Sequence, residues 1–317
     1  MKVFRSLAEI PAGFGPTVAT IGNFDGVHRG HRWVIDRVIA RARERGIRSL
    51  AITFDPHPAR VLRPDQPHTL ITQLPEKIEL LAQTGIDATL VLPFTPELAR
   101  TSAREFAATV LAGAAHAVEV HEGENFRFGF QAAEGTEGLA TLGSELGFEV
   151  QAYAPCVLRG TAVSSSRIRR LIADGAVGQA RALLGRPFFI AGTPASGRGY
   201  GTRYTVPTIN FGPYSELLPA NGVYITQMEV AGEVFDAVTN VGNRPTFGED
   251  SFTVETHLLN FHPIDLTEST PLRLCFLHRL REERKWPNPE ALREQIGRDV
   301  AKARRYFHLL HHKLTTI

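Results

Sequence analysis

Short apolar runs alternate with helix-length amphipathic stretches through the first half of the chain. The runs predict buried strands, and the stretches between them carry apolar residues at the three- and four-residue spacing of a helix. The predicted strands are residues 17–21, 49–54, 88–92 and 117–121, and the predicted helices are residues 31–45, 75–83 and 102–111. This order is typical of a parallel sheet with helices on both faces, which binds ligands at the carboxyl ends of its strands.

The pattern changes after about residue 185, where glycine, proline and aromatic residues become denser. Four runs then alternate apolar and polar positions, as expected for antiparallel strands of a small barrel. These runs are residues 222–227, 233–240, 252–261 and 272–277. A final amphipathic helix is predicted, with Arg304 and Arg305 on its solvated side. Its apolar face is predicted to comprise Leu292, Ile296, Val300, Ala303 and Phe307.

The length of 317 residues exceeds the usual size of one domain, so we expect two. The change of pattern places an α/β Rossmann-like domain with a parallel sheet at residues 1–185. An antiparallel β-barrel domain with a C-terminal helix follows at residues 186–317. The Leu-Gly-Arg-Pro segment at residues 184–187 is the predicted hinge.

Composition narrows the class of protein. The net charge of +2 gives no indication that the partner is a nucleic acid or an anionic membrane. The two cysteines, Cys156 and Cys275, lie far apart, which fits a reducing compartment rather than a disulfide scaffold. The N-terminus lacks the pattern of a signal peptide, and no apolar run reaches the roughly 18 residues of a membrane span. We expect a soluble cytoplasmic protein with small-molecule substrates, and the sequence leaves room for a homo-oligomer.

A first chemical site is predicted where an apolar strand runs into a glycine-rich turn and a helix, with the sequence TIGNFDGVHRGH at residues 20–31. His28 and His31 are three residues apart and share one face at the helix start. Gly30 leaves the backbone accessible, and the helix N-terminus attracts anions. The segment therefore predicts a phosphate site for chemistry at a nucleotide's α-phosphate. Half of a zinc site and ordinary surface histidines are the alternatives.

A second signal is the sequence VSSSRIRR at residues 163–170. Serines before an amphipathic helix can cap its free amides. Arg167 falls in the first turn, where the helix dipole prefers an anion, and a bound phosphate would explain it. The alternative is a serine cap with surface arginines. Together the two signals predict two helix starts that converge on one triphosphate.

These residues carry a family resemblance. The HxGH string with an SSxR helix is similar to the nucleotidylyltransferase superfamily. The longer strings GNFDGVHRGH (22–31), TFDPHP (53–58), GENFRFG (123–129) and VSSSRIR (163–169) resemble the FMN adenylyltransferase module of bacterial bifunctional FAD synthetases. The resemblance covers nearly all of residues 15–185. It departs at residues 131–136, which read QAAEGT where a basic residue and Gly-Asp usually follow FRFG.

The resemblance implies roles for individual residues. The adenylyl group and the ATP phosphates would be held by Gly22, Asn23, His28, Gly30 and His31, with Asn125, Ser164, Ser165 and Arg167 completing the ATP site. The flavin would be bordered by Phe54, His57, Pro58 and Phe128. The FMN phosphate is itself a competent nucleophile, so positioning and charge neutralisation with Mg²⁺ would supply the catalysis.

The second half offers a weaker signal of its own. Thr208 and Asn210 are two apart on a predicted strand, so their oxygens point to one side and can ligate a hard cation such as Mg²⁺. Glu255 and His257 are predicted to face away from Val254, Thr256 and Leu258. A carboxylate so placed can act as a general base, and a solvent-exposed glutamate is the alternative. The glycine-rich segment with Gly197, Gly199 and Gly201 is a weak phosphate-loop signal.

The strings VPTIN (206–210), LPANGVY (218–224), NVGNRPTF (240–247) and VETHLLNF (254–261) resemble the riboflavin kinase module of the same bifunctional proteins. The resemblance covers roughly residues 186–310. It implies that Thr208 and Asn210 hold Mg²⁺ with ATP, that Glu255 is the base for the ribityl hydroxyl and that Arg281 contacts the product. Departures occur at 204–206, where Tyr-Thr-Val replaces Leu-Gly-Phe, and at 265–268, where Asp-Leu-Thr-Glu replaces Asp-Leu-Tyr-Gly.

Three functions compete with a bifunctional enzyme that makes FMN and FAD from riboflavin and ATP. One is an FMN adenylyltransferase whose barrel binds flavin without phosphorylating it, as the Thr205 departure suggests. Another is a nucleotide- or flavin-responsive binding protein without catalysis. The third is a transferase for another acceptor, such as a pantetheine or nicotinate nucleotide, which leaves the second domain unexplained.

Overall fold

A six-stranded parallel sheet forms the centre of the first of two units. The computed structural model describes residues 1–195, 208–243 and 252–314, and the chain divides into the units Met1–Ser165 and Ser166–Ile317. The strands of the first sheet are β1 (Lys2–Phe4), β2 (Thr17–Ile21), β3 (Arg48–Asp55), β4 (Ala88–Pro93), β5 (Ala117–Gly123) and β6 (Glu149–Tyr153). Their order is β1-β4-β3-β2-β5-β6, with every pair parallel.

Helices alternate with these strands: α1 (Arg29–Glu44), α2 (Pro58–Leu62), α3 (Leu74–Ala82), α4 (Pro96–Arg100), α5 (Ala103–Phe106) and α6 (Thr136–Leu146). A π-helix at Ala107–Ala114 continues α5, and a short hairpin, β7 (Val157–Leu158) and β8 (Thr161–Ala162), follows β6. The helices α1 and α6 pack on different apolar clusters of the sheet, α1 with Val38 against Val18 and α6 with Leu139. This confirms the predicted α/β architecture.

The order of the first sheet reverses at β2. The chain passes from β2 to β3 on one side, and β5 pairs with the other side. In parallel sheets such a reversal opens a crevice at the carboxyl ends of the two strands, which is where ligands bind. The sequence GNFDGVHRGH begins directly after β2, so the fold places the predicted phosphate site at this crevice.

An antiparallel six-stranded sheet forms the second unit. It follows α7 (Ser165–Ala173) and α8 (Val177–Leu184), and α9 (Pro289–Leu314) comes after its last strand. The strands are β9 (Phe188–Gly192), β10 (Thr208–Asn210), β11 (Gly222–Val230), β12 (Glu233–Asn243), β13 (Phe252–Leu258) and β14 (Leu272–Glu282). Their order is β10-β13-β12-β11-β14-β9. A bridge between Pro194 and Phe211 joins the two edges, so the sheet curls into the predicted barrel.

The inside of the barrel is lined by apolar residues and by a ladder of threonines. Thr226, Thr239 and Thr256 are fully buried, and their hydroxyls are hydrogen-bonded in series at 2.7 and 2.9 Å. The opposite face of the sheet packs on α9 through Val223 and Phe307. Each hydroxyl of the ladder satisfies its neighbour, so three polar groups are accommodated in a dry core.

The final helix only partly follows its predicted apolar face. Ala303 and Phe307 are buried, whereas Leu292 and Ile296 are 40% and 48% exposed. In the first half of α9 the one buried residue is the polar Asp299. Leu292 and Ile296 therefore do not join the buried part of the predicted apolar face. Arg304 and Arg305 are exposed as expected.

The described residues include no helix with the length and apolarity needed to cross a bilayer. Cys156 and Cys275 are both free, in agreement with the prediction that no disulfide holds the fold.

Candidate active sites

His28 and His31 lie together at the start of α1. His28 is the N-cap, and its Nδ1 accepts a hydrogen bond from the His31 backbone N–H at 3.2 Å. The two rings are stacked with centroids 3.6 Å apart. Because Nδ1 is an acceptor, the neutral ring of His28 carries its proton on Nε2, which makes Nε2 a donor. The predicted pairing of these two histidines on one helix face is thus present.

Gly30 is required by close packing at this helix start. A Cβ at position 30 would lie 3.1 Å from His28 Cε1 and 3.3 Å from the Val163 carbonyl oxygen. The glycine therefore allows the HxGH turn to meet the segment that leads into α7. In that segment the Ser165 hydroxyl donates to the Asp25 carbonyl at 2.9 Å. Both predicted strings of the first unit, around His28 and around Ser165, are brought together by these contacts.

The other residues of the serine-arginine string occupy the start of α7. Ser164 is exposed and precedes the first residue of the helix, Ser165. Arg167 lies in the first turn and is also exposed. The helix start and the position of Arg167 in it agree with the sequence analysis. The action of Ser164, Ser165 and Arg167 on a triphosphate stays a prediction.

The predicted flavin-bordering residues follow β3 into α2. His57 is the N-cap of α2, with its Nδ1 accepting from the Ala59 N–H at 3.1 Å, and its ring stacks on His68 with centroids 4.3 Å apart. Pro58 is the first residue of α2. Phe54 packs edge-on against Phe94 with ring centroids 5.5 Å apart. These side chains form a rigid wall beside the carboxyl end of β3.

The FRFG string forms a turn after β5. Asn125 is exposed in a turn closed by the Phe126 N–H and the Gly123 carbonyl. Phe128 is buried, and its ring stacks on Phe126 with centroids 5.4 Å apart. The departing loop at 131–136 is held by Arg127, which donates to the Ala132 and Ala133 carbonyls. Asn125 is thus available to a ligand, whereas Phe128 contributes mainly to the core.

The second candidate site is a row of side chains across the antiparallel sheet. Asn210 of β10 is directly opposite Glu255 of β13, and Glu255 is directly opposite Asn240 of β12. Thr208 pairs in the same way with His257. Paired residues in an antiparallel sheet point to the same face. The structure therefore brings the predicted metal ligands and the predicted base together on one face.

Alternation on β13 is as predicted. Val254, Thr256 and Leu258 are buried inside the barrel, while Glu255 is exposed on the other face. Burial lowers the pKa of His257, the charge of Arg304 lowers it further, and Glu255 raises it. His257 is consequently neutral near pH 7.

Arg281 lies further along the same row. It pairs with Val223, which in turn pairs with Asn240. Its Nε donates to Asp299 Oδ2 of α9 at 2.8 Å, and Gln295 donates to the other carboxylate oxygen at 2.8 Å. Asp299 is 2% exposed. The carboxylate therefore fixes the direction of the arginine, which is the predicted product contact.

Comparisons with known proteins agree with this arrangement. A family model described as FAD synthetase matches residues 11–167, and one described as riboflavin kinase matches residues 184–307. The bifunctional riboflavin kinase/FMN adenylyltransferase of Pseudomonas fluorescens is 34% identical over 305 residues, which cover 96% of this chain and 97% of that protein. The chain belongs to the bifunctional riboflavin kinase/FMN adenylyltransferase family. The relative from Escherichia coli strain K12 is 32% identical and covers 98% of this chain and 99% of its own length.

A solved structure extends the likeness to the fold. The chain superimposes on the crystal structure of a macrolide-efflux protein from Streptococcus pneumoniae with a TM-score of 0.83 and 26% identity, covering 95% of this chain and 98% of that one. Membership of the bifunctional family makes the chain an enzyme of FMN and FAD formation, with riboflavin kinase and FMN adenylyltransferase activities and with ATP, riboflavin and FMN as substrates. The predicted function is thereby confirmed.

The residues of the second candidate site fit a hard cation. Asn210 Oδ1 is buried and has no hydrogen-bond partner among the described residues. A buried carbonyl oxygen without a donor is costly in a folded protein, and ligation of a cation would satisfy it. Elsewhere in the described ranges, no three His, Cys, Asp or Glu side chains are grouped to hold a metal ion. The zinc half-site considered for His28 and His31 thus finds no third ligand of these types there.

Several predicted residues fall outside the described ranges. Gly197, Gly199 and Gly201 lie there, as do the Tyr-Thr-Val departure at 204–206 and part of the NVGNRPTF string. At the other departure, Leu266 is buried and the Thr267 N–H donates to Thr270 Oγ1 at 2.8 Å. The changed sequence at 265–268 therefore forms an ordered turn of its own.

Three buried charged residues near these sites escaped the sequence analysis: Lys77, Glu122 and Asp299. Lys77 is three and four residues before Leu80 and Leu81, which are buried on the same helix. Asp299 is four residues before the buried Ala303 and lies on the same face of α9. A charged residue at a core position of an amphipathic helix is the signal that identifies both. Glu122 follows a buried strand residue, Val120, by two positions and shares its face.

Proposed function

We propose that the two reactions are divided between two functional domains, with adenylyl transfer in the first and riboflavin phosphorylation in the second. The separate family matches at 11–167 and 184–307 support this division. As functional domains we propose residues 1–185 and 186–317, with α7 and α8 belonging to the adenylyltransferase. The chain would act in the cytoplasm on small molecules, without nucleic acid.

In the proposed adenylyltransferase domain, an oxygen of the FMN phosphate attacks the α-phosphorus of ATP. The bond between the α- and β-phosphates breaks and pyrophosphate leaves. The His28 Nε2–H and His31 donate to the oxygens on which charge increases, and Arg167 neutralises the departing phosphates. Asn23 and Asn125 hold ATP, and the Phe54–Pro58 wall orients the flavin. The stacked and capped histidine pair is the observation that supports this role, because its geometry is fixed before substrate binds.

In the second unit, Glu255 accepts the proton of the ribityl 5′-hydroxyl of riboflavin. The hydroxyl oxygen attacks the γ-phosphorus of ATP, and ADP leaves. Thr208 and Asn210 would hold Mg²⁺, which neutralises charge on the transferring phosphates when bound. The direct pairing of Asn210 with Glu255 supports this assignment, since a side chain that could ligate a cation and one that could accept a proton then lie on adjacent strands of one face.

The test is a chromatographic assay with ATP and Mg²⁺, given riboflavin in one reaction and FMN in another. Loss of one oxyanion donor costs about 10²–10³-fold in rate, so His28→Ala should stop the reaction at FMN. Glu255→Gln should abolish FMN formation from riboflavin and leave FAD formation from FMN intact. His308→Ala and Glu233→Gln, which alter exposed residues remote from both predicted sites in sequence, are the controls.

A second candidate function is FMN adenylyl transfer alone, with a barrel that binds flavin without phosphorylating it. The replacement of a glycine by Thr205 next to the predicted Mg²⁺ ligands favours it. FAD from FMN, together with no FMN from riboflavin in the wild type, would establish this candidate. Restoring glycine with Thr205→Gly should then raise kinase activity.

A further inference from the structure

Lys77 is a buried lysine beneath the candidate adenylyltransferase site. It lies on α3 and is 5% exposed. Its ammonium group donates to the Asn23 carbonyl at 3.2 Å, to Thr53 Oγ1 at 3.4 Å and to the Phe54 carbonyl at 3.3 Å. Three acceptors match the three donors of a lysine. Two of them belong to the predicted ATP-binding Asn23 and the predicted flavin-binding Phe54.

The surroundings of Lys77 keep a charged ammonium tolerable in the interior. Burial lowers the pKa of the Lys77 amine below its ordinary value of 10.5, while the charges of Asp25 and Asp55 raise it. Asp25 is 2% exposed, and its carboxylate accepts from the Ile71 and Thr72 N–H groups at 2.9 and 3.1 Å. Burying a charge this far is unfavourable unless it is hydrogen-bonded and countered. The chain supplies both requirements at this position.

The loop that Lys77 holds has an unusual backbone. Phe24 and Val27 have φ values of +46° and +37°. Such conformations cost of order 1–3 kcal/mol each in residues other than glycine, and they persist only where the surrounding structure enforces them. The bond from Lys77 to the Asn23 carbonyl acts at the start of this loop, and the bonds to Asp25 act at its middle. Together they can hold the turn that leads into His28.

We propose that Lys77 is a positioning residue for adenylyl transfer. Its ammonium fixes the carbonyls of Asn23 and Phe54 and thereby sets the separation between the ATP-binding loop after β2 and the flavin-binding segment after β3. This inference rests on the proposed function of the first unit. It adds to that function a single group that acts on both substrate sites and touches neither substrate.

Hydrogen–deuterium exchange tests the positioning directly in the substrate-free full-length protein. Lys77→Met keeps the length of the side chain and removes the charge and the donors. Exchange should increase in peptides covering residues 22–31 and 54–62 and stay unchanged in α6. Lys77→Arg, which keeps a cation and donors, should restore protection in at least one of the two peptides. Lys2→Met on β1, an exposed lysine of the same unit, is the matched control.

Kinetics of FAD formation from FMN provide the second measurement. A misplacement of about 1 Å costs on the order of 100-fold, so Lys77→Met should lower kcat about 100-fold with KM values within roughly threefold of wild type. The rate of FMN formation from riboflavin should not change. Unaltered exchange in both peptides, or a full kcat in Lys77→Met, would overturn the proposal. If Lys77→Met does not fold, Lys77→Arg with unprotected peptides and wild-type kcat would overturn it as well. If wild type makes no FAD but Lys77→Met still increases exchange, the proposed function is refuted and the structural role of Lys77 in holding the two segments remains.

Discussion

Replacing either of two buried glutamates on β5 by glutamine should change how stability depends on pH, and the two changes should have opposite directions. Glu122 is 4% exposed and accepts a hydrogen bond from the Ile21 N–H at 2.5 Å and another from Thr20 Oγ1 at 3.3 Å. Glu119 is 2% exposed and accepts from Arg41, Arg45 and His121. Burial raises the pKa of Glu122 well above its ordinary value of 4.5. Burial alone would raise the pKa of Glu119 too, but its three hydrogen-bond donors outweigh that effect and lower it.

The sign of each pH dependence follows from proton binding. Folded Glu122 keeps its proton above pH 4.5, where the unfolded chain has lost it, so its contribution to stability falls as pH rises. The loss is at most about 1.4 kcal/mol per pH unit for one proton. Folded Glu119 holds its proton less tightly than the unfolded chain does. Its contribution is therefore present above pH 4.5 and lost as pH falls below that value.

Glu122→Gln removes the titration and keeps an oxygen for the Ile21 N–H. Between pH 5.5 and 7.5 the stability of this variant relative to wild type should increase by up to ~3 kcal/mol. Any constant cost of burying the new amide cancels in this comparison. Glu119→Gln leaves Arg41 and Arg45 without their carboxylate, so it should destabilise the protein at pH 7.5. Its deficit should not increase when the pH is lowered.

Urea unfolding can follow the first unit alone. The chain has two tryptophans, Trp33 in the first unit and Trp286 in the second. In a Trp286→Phe background, Trp33 fluorescence reports the unit that contains both glutamates. A Glu122→Gln advantage that stays constant or shrinks between pH 5.5 and 7.5 would refute the assignment of Glu122 as a protonated buried acid.

Three further substitutions test the packing around the two sites. Asp299→Asn leaves Arg281 without its buried counter-charge and should lower the unfolding free energy of the second unit by about 3 kcal/mol. The loss can be measured by urea unfolding with Trp286 fluorescence in a Trp33→Phe background. An unchanged midpoint would contradict this expectation. Thr239 lies in the middle of the threonine ladder and Thr226 at its end. Thr239→Val should destabilise the same unit by about 2 kcal/mol, roughly twice the loss for Thr226→Val. Equal losses would argue against the ladder. Gly30→Ala should slow FAD formation about tenfold, or about 1.4 kcal/mol in the barrier, because the added Cβ would lie 3.1 Å from His28 Cε1 and displace that ring. Gly178→Ala, with nothing within 4 Å of its Cβ, should leave the rate unchanged.

Local pattern was sufficient to predict several strands and the faces that they bury. Strand β2 begins and ends where the apolar run does, at Thr17 and Ile21. The alternation that separates Glu255 from Val254 and Thr256 is likewise visible in the sequence, because successive strand residues point to opposite faces. The three-residue spacing of His28 and His31 predicted their proximity, because residues three apart lie on one face of a helix. These features depend on residues that are neighbours along the chain.

Features that depend on distant partners could not be predicted in this way. The register that pairs Asn210 with Glu255 joins strands 45 residues apart, and alternation alone leaves any even shift equally acceptable. The spacing along α3 can mark Lys77 as a core position, but it does not show that Asn23, Thr53 and Phe54 supply its acceptors. The pairing of Asp299 with Arg281 likewise joins two elements, and the spacing of apolar residues along α9 does not reveal it.

The burial of Glu122 and Lys77 has a common origin in the reversal of strand order at β2. Backbone pairing of β2 ends at Ala19 on the β5 side and at Ile21 on the β3 side. Beyond these points the Ile21 N–H lacks a strand carbonyl, and Glu122 accepts its hydrogen bond instead. On the other side the Asn23 and Phe54 carbonyls receive the donors of Lys77. Unpaired backbone groups in the interior must find such partners. Where the strands diverge at the crevice, Glu122 and Lys77 are these partners, which is why their substitution is expected to alter the site as well as stability.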